Sequence, residues 1–128
     1  MHNKTVLVVE DNLINQHVIG DMLESFGFQP FIAGSGEQAL KIFDRQEIAL
    51  VLMDVRLPGL NGLETTQAIR QLEAGESVPV IALTADAMTG AEQQCRRAGM
   101  SDFLAKPIDP NELQSRLNFW CARNSCEV

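Results

Sequence analysis

Short, unbroken apolar runs alternate with longer polar segments along the chain, and the alternation repeats five times. The runs are Val6-Leu7-Val8-Val9, Phe31-Ile32-Ala33, Leu50-Val51-Leu52-Met53, Val80-Ile81-Ala82-Leu83 and Phe103-Leu104-Ala105. None shows the in/out alternation of a sheet wetted on one face, so each reads as a parallel strand covered on both sides. The intervening segments carry the helical period. The first places Ile14, Val18, Met22 and Phe26 in one stripe, with Ile19 and Leu23 beside them, before Gly27 stops it. The last sets Leu113, Leu117 and Trp120 behind a Pro110 suited to a first turn. Between Ala87 and Gly99 the stripe thins to Ala91, Cys95 and Ala98, which predicts the least firmly anchored helix. Pro30, just before the second run, lacks an amide donor and belongs at a sheet edge. These signals predict an α/β fold: a (βα)5, flavodoxin-like, doubly wound parallel sheet of five strands in the order 2-1-3-4-5.

In such a sheet, ligands bind where loops leave the carboxyl ends of the strands. Glu10, Asp11 and Asn12 follow the first strand, Asp54 the third, Thr84 the fourth and Lys106 the fifth. In the order 2-1-3-4-5 those four strands are consecutive neighbours, so three acids, a hydroxyl and an ammonium should gather. Two carboxylates ~4 Å apart repel by about 4 kcal/mol at an effective dielectric near 20, so a hard divalent cation is expected among them. Mg²⁺ fits, with Mn²⁺ as an alternative occupant; Asp11 and Asp54 would be direct ligands and Glu10 would hold a metal-bound water. A carboxylate beside such an ion can attack phosphorus, and Asp54, alone at the tip of a central strand, is the candidate nucleophile. Lys106 would neutralise the phosphoryl oxygens and Thr84 would donate a hydrogen bond to one. Each residue also has a plainer role: Asp11 or Asn12 as a helix cap, Thr84 in a turn, Lys106 paired with any nearby acid. Their convergence on four adjacent strand ends favours a site.

The 128 residues, 45% apolar and 21% charged, suit one domain spanning 1–128 with a core of about 5–121, and neither disorder nor a disulfide scaffold. A net charge of −7 opposes direct contact with nucleic acid or an anionic membrane. No apolar run is long enough to cross a bilayer, and no export signal is readable at the N-terminus. Cys95, Cys121 and Cys126 form no CxxC pair, which fits a cytoplasmic setting.

The motifs Val8-Val9-Glu10-Asp11-Asn12, Leu52-Met53-Asp54-Val55-Arg56-Leu57-Pro58-Gly59-Leu60-Asn61-Gly62, Ala82-Leu83-Thr84-Ala85 and Asp102-Phe103-Leu104-Ala105-Lys106-Pro107 resemble those of the receiver domains of two-component response regulators. The resemblance runs from Val6 to about Trp120. It implies Asp54 as phosphoacceptor, Glu10 and Asp11 as the acidic pair, Mg²⁺ bound also through the backbone carbonyl of Arg56, and a phosphohistidine donor on a partner. It further implies a switch in which Thr84 moves toward the phosphoryl group and Phe103 turns inward. Many relatives carry Tyr there, so the hydroxyl bond it would make is missing; the alternative is that Phe103 is permanently core. A cis peptide between Lys106 and Pro107, and a Gly62 where a side chain would crowd the turn, are also implied.

The Glu10-Asp11-Asn12-Leu13-Ile14-Asn15-Gln16 and Ala85-Asp86-Ala87-Met88 stretches are most similar to receivers within hybrid sensor histidine kinases. The partner would then be a histidine kinase or a histidine phosphotransfer domain, touching Leu13, Ile14, Gln16, His17 and Pro107, with a weak homodimer at most. Arg56 and Asp86 would tune the lifetime of the acyl phosphate. With no output domain visible after the last helix, a stand-alone response regulator and the cytoplasmic piece of an inner-membrane sensor kinase both remain open. Two rivals are weaker. An Mg²⁺-dependent aspartyl-phosphate phosphohydrolase needs an acid two positions past its nucleophile, where Arg56 stands. A flavodoxin-like cofactor binder needs glycines and hydroxyls where Glu10 and Asp11 would repel a phosphate.

Overall fold

Each apolar run becomes a strand in the computed structural model of the chain, which describes residues 4–57, 59–72, 75, 78–84 and 91–125. The strands are β1 (Thr5–Val9), β2 (Gln29–Ala33), β3 (Leu50–Asp54), β4 (Val80–Thr84) and β5 (Asp102–Ala105). They alternate with helices α1 (Leu13–Ser25), α2 (Gly36–Arg45), α3 (Gly62–Gln71), α4 (Ala91–Arg97) and α5 (Pro110–Ser125). All four strand pairings are parallel and the order is β2-β1-β3-β4-β5, as the runs predict. Every residue of β3 and β4 is buried, because both faces of the sheet are covered.

Alternate residues of each strand feed two separate cores. Val6, Val8, Leu50, Leu52, Ile81, Leu83 and Leu104 pack beneath α1 and α5, through Ile19, Leu23, Leu113 and Leu117. Leu7, Val9, Val51, Met53, Val80 and Ala82 pack on the other face, where α2, α3 and α4 contribute Ala39, Phe43, Ile69 and Cys95. Side-chain caps fix three helix starts: Asn12 accepts from the Asn15 amide, Ser35 from Gln38, and Asn61 forms a reciprocal capping box with Glu64.

Two expectations need correction. Pro30 lies inside β2 rather than before it, paired with Val6; β2 is nevertheless an edge strand, so no second neighbour asks for the missing amide. The stripe of α1 is also rotated. Ile14 is 73% exposed and Val18 is exposed, whereas Ile19 and Leu23 are buried with Met22 and Phe26 packed beside them. At roughly 100° per residue, Ile14 lies about 180° from Leu23 around the helix, so both cannot face the sheet. Apolarity alone did not say which of two overlapping stripes would be buried.

Candidate functional site

The strand register brings the predicted residues together. Val9 pairs with Met53, so the next residues, Glu10 and Asp54, face each other across β1 and β3. Asp54 pairs with Leu83, which puts Thr84 one step beyond it on β4, and Thr84 pairs with Ala105, so Lys106 follows at the tip of β5. One oxygen each from Glu10, Asp11 and Asp54 lies within 4.8 Å of the others. Glu10 is 1% exposed and Asp54 5%, whereas Asp11 is open to solvent.

Lys106 bridges the two buried acids. Its ammonium donates to Glu10 Oε1 at 2.9 Å and to Asp54 Oδ2 at 3.1 Å. Burial works to lower the Lys106 pKa, but the hydrogen bonds and charges of Glu10 and Asp54 outweigh it and hold the group above the usual lysine value. The remaining carboxylate oxygens are also engaged: Asn12 N–H donates to Glu10 Oε2 and Arg56 N–H to Asp54 Oδ1, both at 3.1 Å. Three formal negative charges against one positive leave the cluster at net −2. That balance, and the hard oxygen donors, suit a divalent cation such as Mg²⁺.

Other expected residues take their places around this cluster. Thr84 is buried at the end of β4, and its carbonyl accepts from the Lys106 amide at 2.8 Å. The Lys106-Pro107 peptide is cis. Phe103 is half-buried, packed against the core under α2, α3 and α4. Gly62 stands so close to the end of β3 that a Cβ there would lie 2.2 Å from the Asp54 carbonyl oxygen. Arg56 is exposed, and Asp86 lies outside the described residues, as do Pro58 and the whole Ala85-Asp86-Ala87-Met88 stretch.

Among the expected partner contacts, Leu13, Ile14, His17 and Pro107 are exposed. Gln16 is different: its amide turns inward and donates to the Glu10 carbonyl at 2.6 Å. Sequence reasoning also missed Arg70, whose guanidinium donates to the carbonyls of Gly75, Val78 and Gly99, tying α3 to the segments that lead into β4 and β5. An isolated Arg in a polar segment carries no signal of such a role.

The family model for the response regulator receiver domain matches residues 6–118. The chain belongs to that family. This receiver is 41% identical over 120 residues to hybrid signal transduction histidine kinase I of Dictyostelium discoideum, the alignment covering 88% of the chain and 7% of that protein. It is 37% identical over 118 residues to the sensor histidine kinase RcsC of Escherichia coli K12, covering 92% of the chain and 12% of that protein. The receiver thus spans only a small part of the curated relatives it matches. Among solved structures, the receiver domain of sensor histidine kinase PA1611 from Pseudomonas aeruginosa PAO1 is 45% identical with a TM-score of 0.88, covering 94% of this chain and 98% of that one. A magnesium ion is coordinated in the active-site cleft of that protein. The receiver of Saccharomyces cerevisiae Ssk1, solved with the histidine phosphotransfer protein Ypd1, is 28% identical with a TM-score of 0.89, covering 96% and 92%. The two-component receiver assignment therefore rests on family, fold and homology to the receivers of hybrid kinases.

Proposed function

We propose that Asp54 accepts a phosphoryl group from a phosphohistidine on a partner protein, in a reaction that Glu10, Asp11, Thr84 and Lys106 support. The observation that carries this reading is the Lys106 ammonium shared between Asp54 and Glu10 at the carboxyl edge of the sheet. An Asp54 carboxylate oxygen attacks phosphorus, the P–N bond to the donor imidazole breaks, and its electron pair stays on that nitrogen. The product is an acyl phosphate on Asp54. Lys106 would follow the developing negative charge from the carboxylate to the phosphoryl oxygens, and the Thr84 hydroxyl would donate to one of them. Mg²⁺, held by Asp11, Asp54 and the Arg56 carbonyl with Glu10 behind a water, would neutralise the cluster and the phosphoryl oxygens. Mn²⁺ shares the hard-donor chemistry and would serve in the same place.

The donor surface follows from the correction to α1. A cleft of about 400 Å³ is lined by Glu10, Asn15, Val18, Ile19, Lys106, Pro107 and Ile108, and Leu13, 69% exposed, and Ile14 stand exposed on the same helix as Val18. Such an apolar margin beside a charged site fits a helical phosphodonor, either a histidine phosphotransfer domain or the phosphohistidine domain of a kinase. Kinship to receivers of hybrid kinases supports placing this domain in a cytoplasmic part of a sensor kinase. No described helix is long and apolar enough to cross a membrane. In this reading phosphorylation draws Thr84 inward, Phe103 responds, and Arg56 and Asp86 set the phosphate lifetime. The acidic site is assembled within one chain, so acceptance requires no second copy.

Intact-mass measurement after treatment with acetyl phosphate tests the assignment. Wild type gains one phosphoryl group only with Mg²⁺ present, and Asp54→Asn gains none. Equal modification of both proteins would refute Asp54 as the acceptor.

A further inference from the structure

We infer that Gln16 is a positioning residue for the acidic pair, and acts through the backbone of the β1–α1 turn rather than through a partner. The inference rests on the phosphoacceptor reading and assigns the residue that positions Asp11. The carboxylate of Glu10 is held by Asn12 N–H and Lys106, but the Asp11 carboxylate has no hydrogen-bond partner among the described residues. Among them, the only anchor on that side chain is the backbone position from which it starts.

That backbone is fixed at one point by Gln16. The Glu10 carbonyl oxygen belongs to the same planar peptide unit as the Asp11 nitrogen and Cα, so holding the oxygen fixes where the Asp11 Cα, the root of its side chain, sits. Gln16 Nε2 donates to that oxygen at 2.6 Å across six residues, while the Gln16 backbone N–H bonds to the Asn12 carbonyl at 3.0 Å. The residue thus clasps the Glu10–Asp11 peptide, just past β1, to the first turn of α1. Gly34 runs beside the clasp: a Cβ added there would meet Gln16 Nε2 at 3.7 Å, an ordinary contact distance, and the Gly34 N–H itself is taken by Gln38 Oε1 at 2.7 Å. Gln16 is half-buried, and its side chain is turned toward this contact rather than out along the exposed face of α1.

Groups that orient metal ligands without touching the ion typically change affinity by about 10–100-fold when removed. Titration calorimetry with Mg²⁺ alone, on the whole chain, tests the role in Gln16→Met, which keeps the length without the donor, and Gln16→Asn, which keeps the donor but falls short. Both variants should bind Mg²⁺ about tenfold more weakly than wild type. In reaction with acetyl phosphate, the half-saturating Mg²⁺ concentration should rise by a similar factor while the rate at saturating Mg²⁺ stays near wild type. A partner-contact role predicts unchanged values in both experiments, and a purely structural role predicts a lower unfolding midpoint in EDTA with unchanged Mg²⁺ affinity; either result overturns the inference. So does failure of both variants to fold, which would make Gln16 a determinant of the fold. Absence of Mg²⁺ binding by wild type would instead refute the functional reading on which this one stands.

Discussion

Replacing Lys106 with Met removes the ammonium while keeping an unbranched stem, and leaves Glu10 and Asp54 buried side by side. Each contact is worth a gross attraction of about 5 kcal/mol at ~3 Å and an effective dielectric of 20, most of which is offset by the cost of taking the three groups out of water. Breaking a fully buried ion pair from one side destabilises by ~3–5 kcal/mol. The Lys106 side chain keeps 22% of its exposure, so solvent screening lowers the expected loss to about 2–3 kcal/mol. Urea unfolding followed through the fluorescence of Trp120, the sole tryptophan, measures it, and in EDTA the midpoint should fall by ~1–2 M. The deficit should narrow in saturating Mg²⁺, because the cation takes over the neutralisation that Lys106 provides and no longer shares the carboxylates with it. A loss below about 0.5 kcal/mol in EDTA, within the range of an exposed ion pair, would refute the bridging role. An equal deficit with and without Mg²⁺ would refute the link between the bridge and the cation. The raised Lys106 pKa gives this contribution a pH window. It is fully present below the unfolded lysine value near 10.4 and is lost as pH climbs through the higher folded value.

Three further outcomes are expected. Gly62→Ala drives a methyl group to 2.2 Å from the Asp54 carbonyl and 2.8 Å from Val55 Cα, so α3 must shift; stability should drop by about 1–3 kcal/mol and acetyl phosphate labelling of Asp54 should slow, as intact mass would show. Arg70→Met deprives the Gly75, Val78 and Gly99 carbonyls of their donor and should cost ~2–4 kcal/mol in urea unfolding, and Arg70→Lys should recover little because an ammonium cannot span that fork. Burial acts to raise the Asp102 pKa, but the hydrogen bonds from Trp120, Arg116 and the Phe103 amide, with the charge of Arg116, prevail and lower it. Its stabilisation is therefore present above the unfolded aspartate value near 3.9 and is lost as pH falls through the lower folded value. The stability gap between wild type and Asp102→Asn should then be level above about pH 5 and close in stronger acid; a gap independent of pH would contradict it.

Five strands, their order and the residues at their tips follow from the order of amino acids alone. Unbroken apolar runs can be buried only between two layers of helix, and parallel strands put all their carboxyl ends on one edge. Glu10, Asp54, Thr84 and Lys106 were therefore legible as a cluster from one-dimensional position alone. The phase of α1 was not legible, because Ile14-Val18 and Ile19-Leu23 are equally apolar and only docking against β1 and β2 chooses between them. Nor did the pattern reveal the work of Gln16 and Arg70. Their partners are backbone carbonyls, which every residue carries, so no side-chain pattern marks them. Where those carbonyls point is a property of turns closed in three dimensions, and that alone converts two ordinary polar residues into clasps on the site and on the sheet that carries it.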